Sequence, residues 1–349
     1  MIEMLGENGA LVAIGFLSGI VLGVAARWGR FCTLGALEDW HYGGSSVRFR
    51  MWGVALGAAI ISVFALALAG WLDLGGTLYL SQSPGVVAAG LGGLLFGVGM
   101  ALAGNCGFGA LARLGGGELR SLVIVMVMGV AALATASGPL AELRVALVPP
   151  MPATPGEVGM AHLLSATFGI GAEALGIGIG VAILGLGFLG HWDRDLLWGV
   201  PVGLAIAAGY AGTSHVATHG FEPVTVMSHT FSLPLGETLL FLMLSSGLAA
   251  GFGVGSVAGV IVGAFAGSKL RGAFRWQACD DHRELRRQIG GAVMMGIGAV
   301  MALGCSVGQG LSAFAVLSYT APITLAAIWL GAFLGLRYLI EGQLIGRSI

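Results

Sequence analysis

Charge is scarce in this chain. Asp, Glu, Lys and Arg together make up 9% of its 349 residues, against about 25% in ordinary soluble domains. With 56% of residues hydrophobic and a mean hydropathy of +0.92, a soluble protein of this length lacks the polar surface to cover its apolar side chains. The formal net charge of −1 excludes an electrostatic argument for nucleic-acid binding. Four cysteines in so long and apolar a chain do not make a secreted disulfide framework. The alternating segments of a membrane β-barrel, about ten residues each, are missing. So is any haem, flavin or nucleotide motif, and no cofactor is expected. The opening Met1-Ile-Glu-Met-Leu-Gly-Glu-Asn8 has two acids and no base, so a cleavable signal peptide is not expected.

Glycine, by contrast, is abundant: 63 residues, without the triplet period of collagen. In a bilayer, glycine permits close helix–helix approach and irregular backbone around a cavity. The expected fold class is therefore an all-α polytopic membrane protein. Apolar windows approaching the ~20 residues that cross ~30 Å of hydrocarbon lie near 9–27, 50–70, 85–104, 119–139, 162–189, 196–212, 237–266, 289–304 and 320–340. That is about nine transmembrane helices. Four shorter apolar pieces, 30–40, 106–115, 213–234 and 305–317, read as re-entrant half-helices.

Basic residues collect in cytoplasmic loops. Arg27, Arg30, Arg48 and Arg50 flank the first connection, six Lys and Arg crowd 267–288, and Arg337 and Arg347 close the sequence. The connections at 71–84 and 148–155 have none. Nine spans with the N-terminus outside and the C-terminus in the cytoplasm put every basic cluster on one side.

Two stretches 199 residues apart share the pattern G-x4-G-x-G-x3-A-x2-C-x2-G. One runs from Gly92 through Gly97, Gly99, Ala103 and Cys106 to Gly109, the other from Gly291 through Gly296, Gly298, Ala302 and Cys305 to Gly308. Such spacing also suits tight packing alone. Read as an internal repeat, it divides the chain into a first membrane repeat over 1–150, a Pro-rich external connection over 151–160 and a second repeat over 161–349, in one membrane domain. An odd number of spans between the motifs makes the repeats inverted and pseudo-symmetric, an architecture that places a substrate site near mid-membrane.

Cys106 and Cys305 lead the candidate site residues. A cysteine opening a half-helix meets free N–H groups and the positive end of the dipole, which suits an anion, although a lone buried cysteine is as readily a small apolar filler. Gly109 and Gly308 follow the two cysteines, Gln309 is a neutral donor beside the second, and Cys32 sits in another Gly-flanked piece beside Arg30. Cys279 lies in a charged loop and is expected to be incidental. Ser214, His215, His219 and Glu222 form the most polar part of the second half. They read as polar lining of a re-entrant segment or as interfacial residues, and a metal site, open to argument from the His215/His219 spacing, is not assigned. Glu173 falls inside an apparent span, where a carboxylate is costly and points to function unless the boundary is misplaced. Arg113 and Arg120 read as positive-inside anchors or as charges on an anion path.

Gly104-Asn-Cys106-Gly-Phe-Gly-Ala-Leu-Ala-Arg113 and Ala302-Leu-Gly-Cys305-Ser-Val-Gly-Gln-Gly-Leu-Ser312 resemble the YeeE/YedE family of bacterial inner-membrane proteins, as do Gly29-Arg-Phe-Cys32-Thr-Leu-Gly-Ala36 and Gly220-Phe-Glu-Pro-Val224. The resemblance implies an hourglass-shaped, pseudo-symmetric helical bundle in the cell inner membrane, with cysteines along a central path. It implies uptake of a small inorganic sulfur anion, thiosulfate first, rather than enzymatic activity. Cys106 and Cys305 become the substrate-contacting thiols, and Cys32 a further one. A family cysteine expected in the second half has no counterpart at 213–234, which holds Ser, Thr and His. The expected partners are the anion, the lipid bilayer and a cytosolic sulfur-carrier or sulfurtransferase protein. The alternatives are a membrane sulfur-carrier or redox subunit passing persulfide to a cytosolic partner, or a transporter of another sulfur or selenium species.

Overall fold

The structure, a computed structural model, describes residues 2–147, 151–152, 159–278 and 281–342. Cys279 and most of the Pro-rich connection lie outside the described residues. Fifteen α-helices follow one another: α1 (Ile2–Arg27), α2 (Thr33–His41), α3 (Val47–Leu68), α4 (Leu78–Ser81), α5 (Val86–Ala103), α6 (Gly107–Gly115), α7 (Arg120–Ala136), α8 (Ala141–Leu147), α9 (Gly159–Phe168), α10 (Ala172–Phe188), α11 (Gly199–His219), α12 (Leu233–Leu244), α13 (Phe252–Leu270), α14 (His282–Met301) and α15 (Thr320–Glu341). A 3-10 turn covers Arg194–Trp198 and a π-helical turn covers Gly308–Ala313. The only strand pairing among the described residues joins Gln82–Ser83 to Met151–Pro152, antiparallel. This is an all-helical membrane protein: in lipid a segment must satisfy its backbone internally, and the helix does so.

Six helical stretches have the length and apolarity of a span: Leu5–Arg27, Val47–Leu68, Val86–Gly115, Arg194–His219, Phe252–Leu270 and Thr320–Glu341. The expected span at 162–189 is α9 and α10, bent by 112° where Gly169 takes a φ of +69°. The one at 119–139 is α7, 17 residues long. The one at 289–304 is the apolar end of α14, whose first turn carries His282, Arg283 and Glu284. The window 237–266 is not continuous. Its helix stops at Leu244 and restarts at Phe252, because Ser-Ser-Gly-Leu-Ala-Ala-Gly between them is rich in residues that favour turns over helix. The expected half-helices at 30–40 and 106–115 are α2 and α6, but 213–234 is not one piece. Its first residues complete α11, Gly220 and Pro223 end the helix, and the chain then runs without helix to Ser232.

The elements correspond in order across the two halves. α2, α3, α5, α6 and α7 recur as α12, α13, α14, the Gly308–Ala313 turn and α15, while α1 matches α11, which has a longer loop after it. Their contacts correspond too. α1 packs on α13 as α11 packs on α3, α5 packs on α15 as α14 packs on α7, and α2 packs on α3 as α12 packs on α13. At the centre α5 and α14 cross antiparallel through the repeated glycines. A Cβ on Gly92 would lie 2.7 Å from the Gly298 carbonyl oxygen, and one on Gly99 would lie 2.6 Å from that of Gly291. A Cβ on Gly298 or Gly291 would meet the partner carbonyl at 2.6 or 2.5 Å. Only glycine allows backbones this close. Packing is therefore the work of these glycines, and each cysteine follows the second glycine of its pair by seven residues. α9 and α10 have no counterpart in the first half; α10 lies against α3 and α9 packs on α10.

Candidate functional site: two broken helices between two cavities

α5 is capped by Gly104, whose φ of +74° interrupts the helix within the continuous stretch Val86–Gly115, and Cys106 then caps α6 with its Sγ accepting from Gly109 N–H at 3.4 Å. α14 ends at Met301, Leu303 beyond it lies in the same left-handed region at φ +56°, and Cys305 opens the next turn. Its Sγ accepts from Phe231 N–H at 3.1 Å and from Gly308 N–H at 3.4 Å, with Thr230 Oγ1 at 3.8 Å. Both thiols are buried. They thus sit where two broken helices offer N–H groups that no backbone carbonyl has taken, the requirement for cradling an anion. Between them, Thr33 Oγ1 donates to Ser306 Oγ at 3.2 Å, and the Ser306 hydroxyl reaches the Cys106 thiol. The rings of Phe31, Phe108 and Phe231 form a contact chain, with centroids 6.5 and 5.3 Å apart. Phe31 precedes Cys32, the N-cap of α2, and Phe231 precedes Ser232, the N-cap of α12.

A cavity lies on each side. The basic one, about 410 Å³, is lined by Cys32, Gly104, Gly109 and Glu38 and by five guanidiniums, those of Arg27, Arg30, Arg48, Arg113 and Arg271. Four of these are tied down: Arg27 Nε donates to Ser268 Oγ at 2.8 Å, Arg48 pairs with Asp39 at 3.2 Å, Arg113 with Glu118 at 3.9 Å, and Arg271 donates to the Trp28 carbonyl at 2.9 Å. The acidic one, about 350 Å³, is lined by Tyr79, Glu222, Thr230, Ser232, Glu237 and Gly304, among others, and by no Lys or Arg among the described residues. Burial raises the Glu237 carboxyl above the usual carboxylate range, with no charge acting on it. Burial also raises Glu38, but there the guanidiniums of Arg113 and Arg48 pull the other way while Asp39 adds to the rise.

The other expected residues fall as follows. Cys32 and Gly109 line the basic cavity and Glu222 the acidic one. Gly308 lies beneath Thr230 and Tyr79: a Cβ there would be 3.0 Å from the Tyr79 hydroxyl. Gln309 is buried, donating Nε2–H to the Ala302 carbonyl at 2.6 Å and leaving its Oε1 without a partner. Arg113 lines the basic cavity and pairs with Glu118 at 3.9 Å, and Arg120 is held off the cavity in ion pairs with Glu118 and Glu284. Ser214 donates to the Trp71 carbonyl at 3.1 Å and lines neither cavity. His215 and His219 stack on each other at 4.4 Å near the end of α11, likewise off both cavities. No group of three His, Cys, Asp or Glu able to hold a metal occurs among the described residues. Glu173 is in the first turn of α10, just past the bend, where a carboxylate complements the helix dipole. The apparent span is interrupted just before this residue, at a break between two apolar stretches.

Three residues are not picked out by the sequence: Tyr79, Glu237 and Ser306; Thr230 belongs to the polar stretch 213–230 read as lining of a re-entrant segment. The Tyr79 hydroxyl is buried and has no hydrogen-bond partner among the described residues. It arrives from α4, in a connection that reads as a loop, because Leu78 N–H donates to the Val226 carbonyl at 2.9 Å. Ser306 could have been found from its place beside Cys305. For Tyr79 and Glu237 the sequence offers no signal except, for Glu237, its spacing from Glu38.

Comparison with known proteins bears on this arrangement. The chain is 26% identical over 371 aligned positions to the thiosulfate transporter TsuA of Escherichia coli (strain K12), an alignment covering 93% of each. A family model described as sulphur transport matches residues 28–334, which takes in both broken helices, both cysteines and the lining of the basic cavity but for Ala26 and Arg27. The chain belongs to this sulphur transport family, the YeeE/YedE proteins.

Proposed function

We propose that the chain imports a small inorganic sulfur anion, thiosulfate first, across the bacterial cell inner membrane. The observation that carries this is the pair of thiols at two helix breaks, each with N–H donors, lying between two cavities of opposite character. An anion passing between them exchanges hydration for backbone N–H groups. The thiols of Cys106 and Cys305, and of Cys32 at the mouth of the basic cavity, contact its terminal sulfur. A thiol is a weak donor and sulfur a soft acceptor, so such contacts select without trapping.

The antiparallel crossing of α5 and α14 through equivalent glycines supports an inverted repeat, because a two-fold axis that exchanges antiparallel helices lies across them. The two halves are 1–150 and 161–349, with the correspondence beginning at α11 and α9–α10 added before it. Taking α7, the apolar end of α14 and the bent α9–α10 pair as crossings alongside the six long ones makes nine. The basic cavity then faces the cytoplasm, where a sulfur-carrier or sulfurtransferase protein can receive the anion, and the N-terminal end of α1 is external.

The test is growth of a sulfur-auxotrophic host on thiosulfate when only this protein can supply it. Cys106→Ala and Cys305→Ala should each abolish uptake at unchanged expression. Normal thiosulfate-dependent growth of the double variant refutes the thiol path.

A further inference from the structure

Glu237 stands on α12 where Glu38 stands on α2, 199 residues apart, and each opens into a cavity. Their surroundings differ. Glu38 shares its cavity with five guanidiniums. Glu237 faces none: the helices packed on α12 are α7, α13 and α14, and their charged residues, Arg120, Lys269 and those at 282–287, lie at the ends that border the basic side. The other titratable groups lining this cavity are Glu222 and Tyr79. Glu7, beyond the lining, is engaged by the Phe221 and Glu222 amides at 2.6 and 3.1 Å. His229 is behind Phe252, bonded to Ser256 at 2.6 Å. The carboxyl of Glu237 lies over the first turn of α13, where a Cβ on Gly253 would be 3.3 Å from Oε2.

Among the described residues, an anion in this cavity therefore finds neutral donors, the Tyr79 and Thr230 hydroxyls, and no cation. A doubly charged anion beside an ionised carboxylate is repelled. A proton on Glu237 removes that repulsion and supplies a further donor. We propose that the acidic cavity is a proton-linked dianion site, in which Glu237 takes up one proton from solvent as the anion enters and releases it to water once the anion has left. This rests on the reading of the chain as a thiosulfate importer.

Uptake of radiolabelled thiosulfate into vesicles, measured against external pH, tests it. With one linked proton, the apparent KM of the native chain should rise about tenfold per pH unit above the titration of Glu237. E237Q, a permanent mimic of the protonated side chain, should transport with a KM that is flat within about twofold over the same range, and E237D should restore the slope. An unchanged slope in E237Q, or an E237Q variant inactive at every pH while expressed and monodisperse, overturns the proposal. Independently of any variant, adding thiosulfate to the purified native protein in weakly buffered detergent solution should consume protons, and no pH change on binding overturns it. Absence of uptake and binding in the native protein at every pH refutes the importer reading instead, so the two failures are distinguishable.

Discussion

The crossing of α5 and α14 invites a direct perturbation, Gly298→Ala. The added Cβ would lie 2.6 Å from the Gly92 carbonyl oxygen, 2.6 Å from Phe96 N and 3.1 Å from Phe96 Cα, where ordinary contact begins near 3.4 Å. All three are backbone atoms of a packed helix, so no flexible side chain can swing aside. The helices must part by about 0.8 Å, and overpacking of this kind costs about 1–3 kcal/mol. Gly290 is the matching control on the same helix. A Cβ there meets nothing within 4 Å, and Gly→Ala at an open helical site gains up to about 1 kcal/mol. Thermal unfolding in detergent should then lower the apparent Tm of Gly298→Ala by several degrees, at about 2–4 °C per kcal/mol, and leave that of Gly290→Ala unchanged or raised. Because both helices end within a turn of a thiol, thiosulfate uptake should fall with Gly298→Ala and not with Gly290→Ala. Equal tolerance of the two substitutions would refute the assignment of the repeated glycines to this contact.

Two further outcomes follow from the cavity walls and the bend. Tyr79→Phe removes a buried hydroxyl that has no partner among the described residues, so stability should hold or gain about 1 kcal/mol while the KM for thiosulfate rises; a loss of stability with uptake intact would place the hydroxyl in the scaffold instead. Glu173→Gln should leave uptake unchanged and cost at most about 1 kcal/mol through the dipole of α10, and a transport defect would return this residue to the path.

Much of this molecule is legible in its residues. Scarce charge and long apolar runs leave only an all-helical membrane protein, because lipid offers no partner for an open backbone. The G-x4-G-x-G-x3-A-x2-C-x2-G pattern announces the two breaks, since its cysteines follow small residues that can turn the chain at Gly104 and Leu303–Gly304. The clustering of arginines at the helix ends around one cavity was likewise readable from the connections that carry them. Tertiary structure decided the rest. Only packing shows that Gly92 and Gly99 meet Gly298 and Gly291 in reverse order, because a spacing pattern does not record which helix lies opposite. Only the fold draws α4 and the segment around Val226 together and so delivers Tyr79 to Cys305. The break after Leu244 and the bend at Gly169 were invisible to hydropathy, since the residues on both sides are equally apolar and glycine serves straight, tightly packed helices as readily as broken ones. The charge contrast between the two cavities is also tertiary: Glu38 and Glu237 hold equivalent places in the chain, and only their neighbours in space differ.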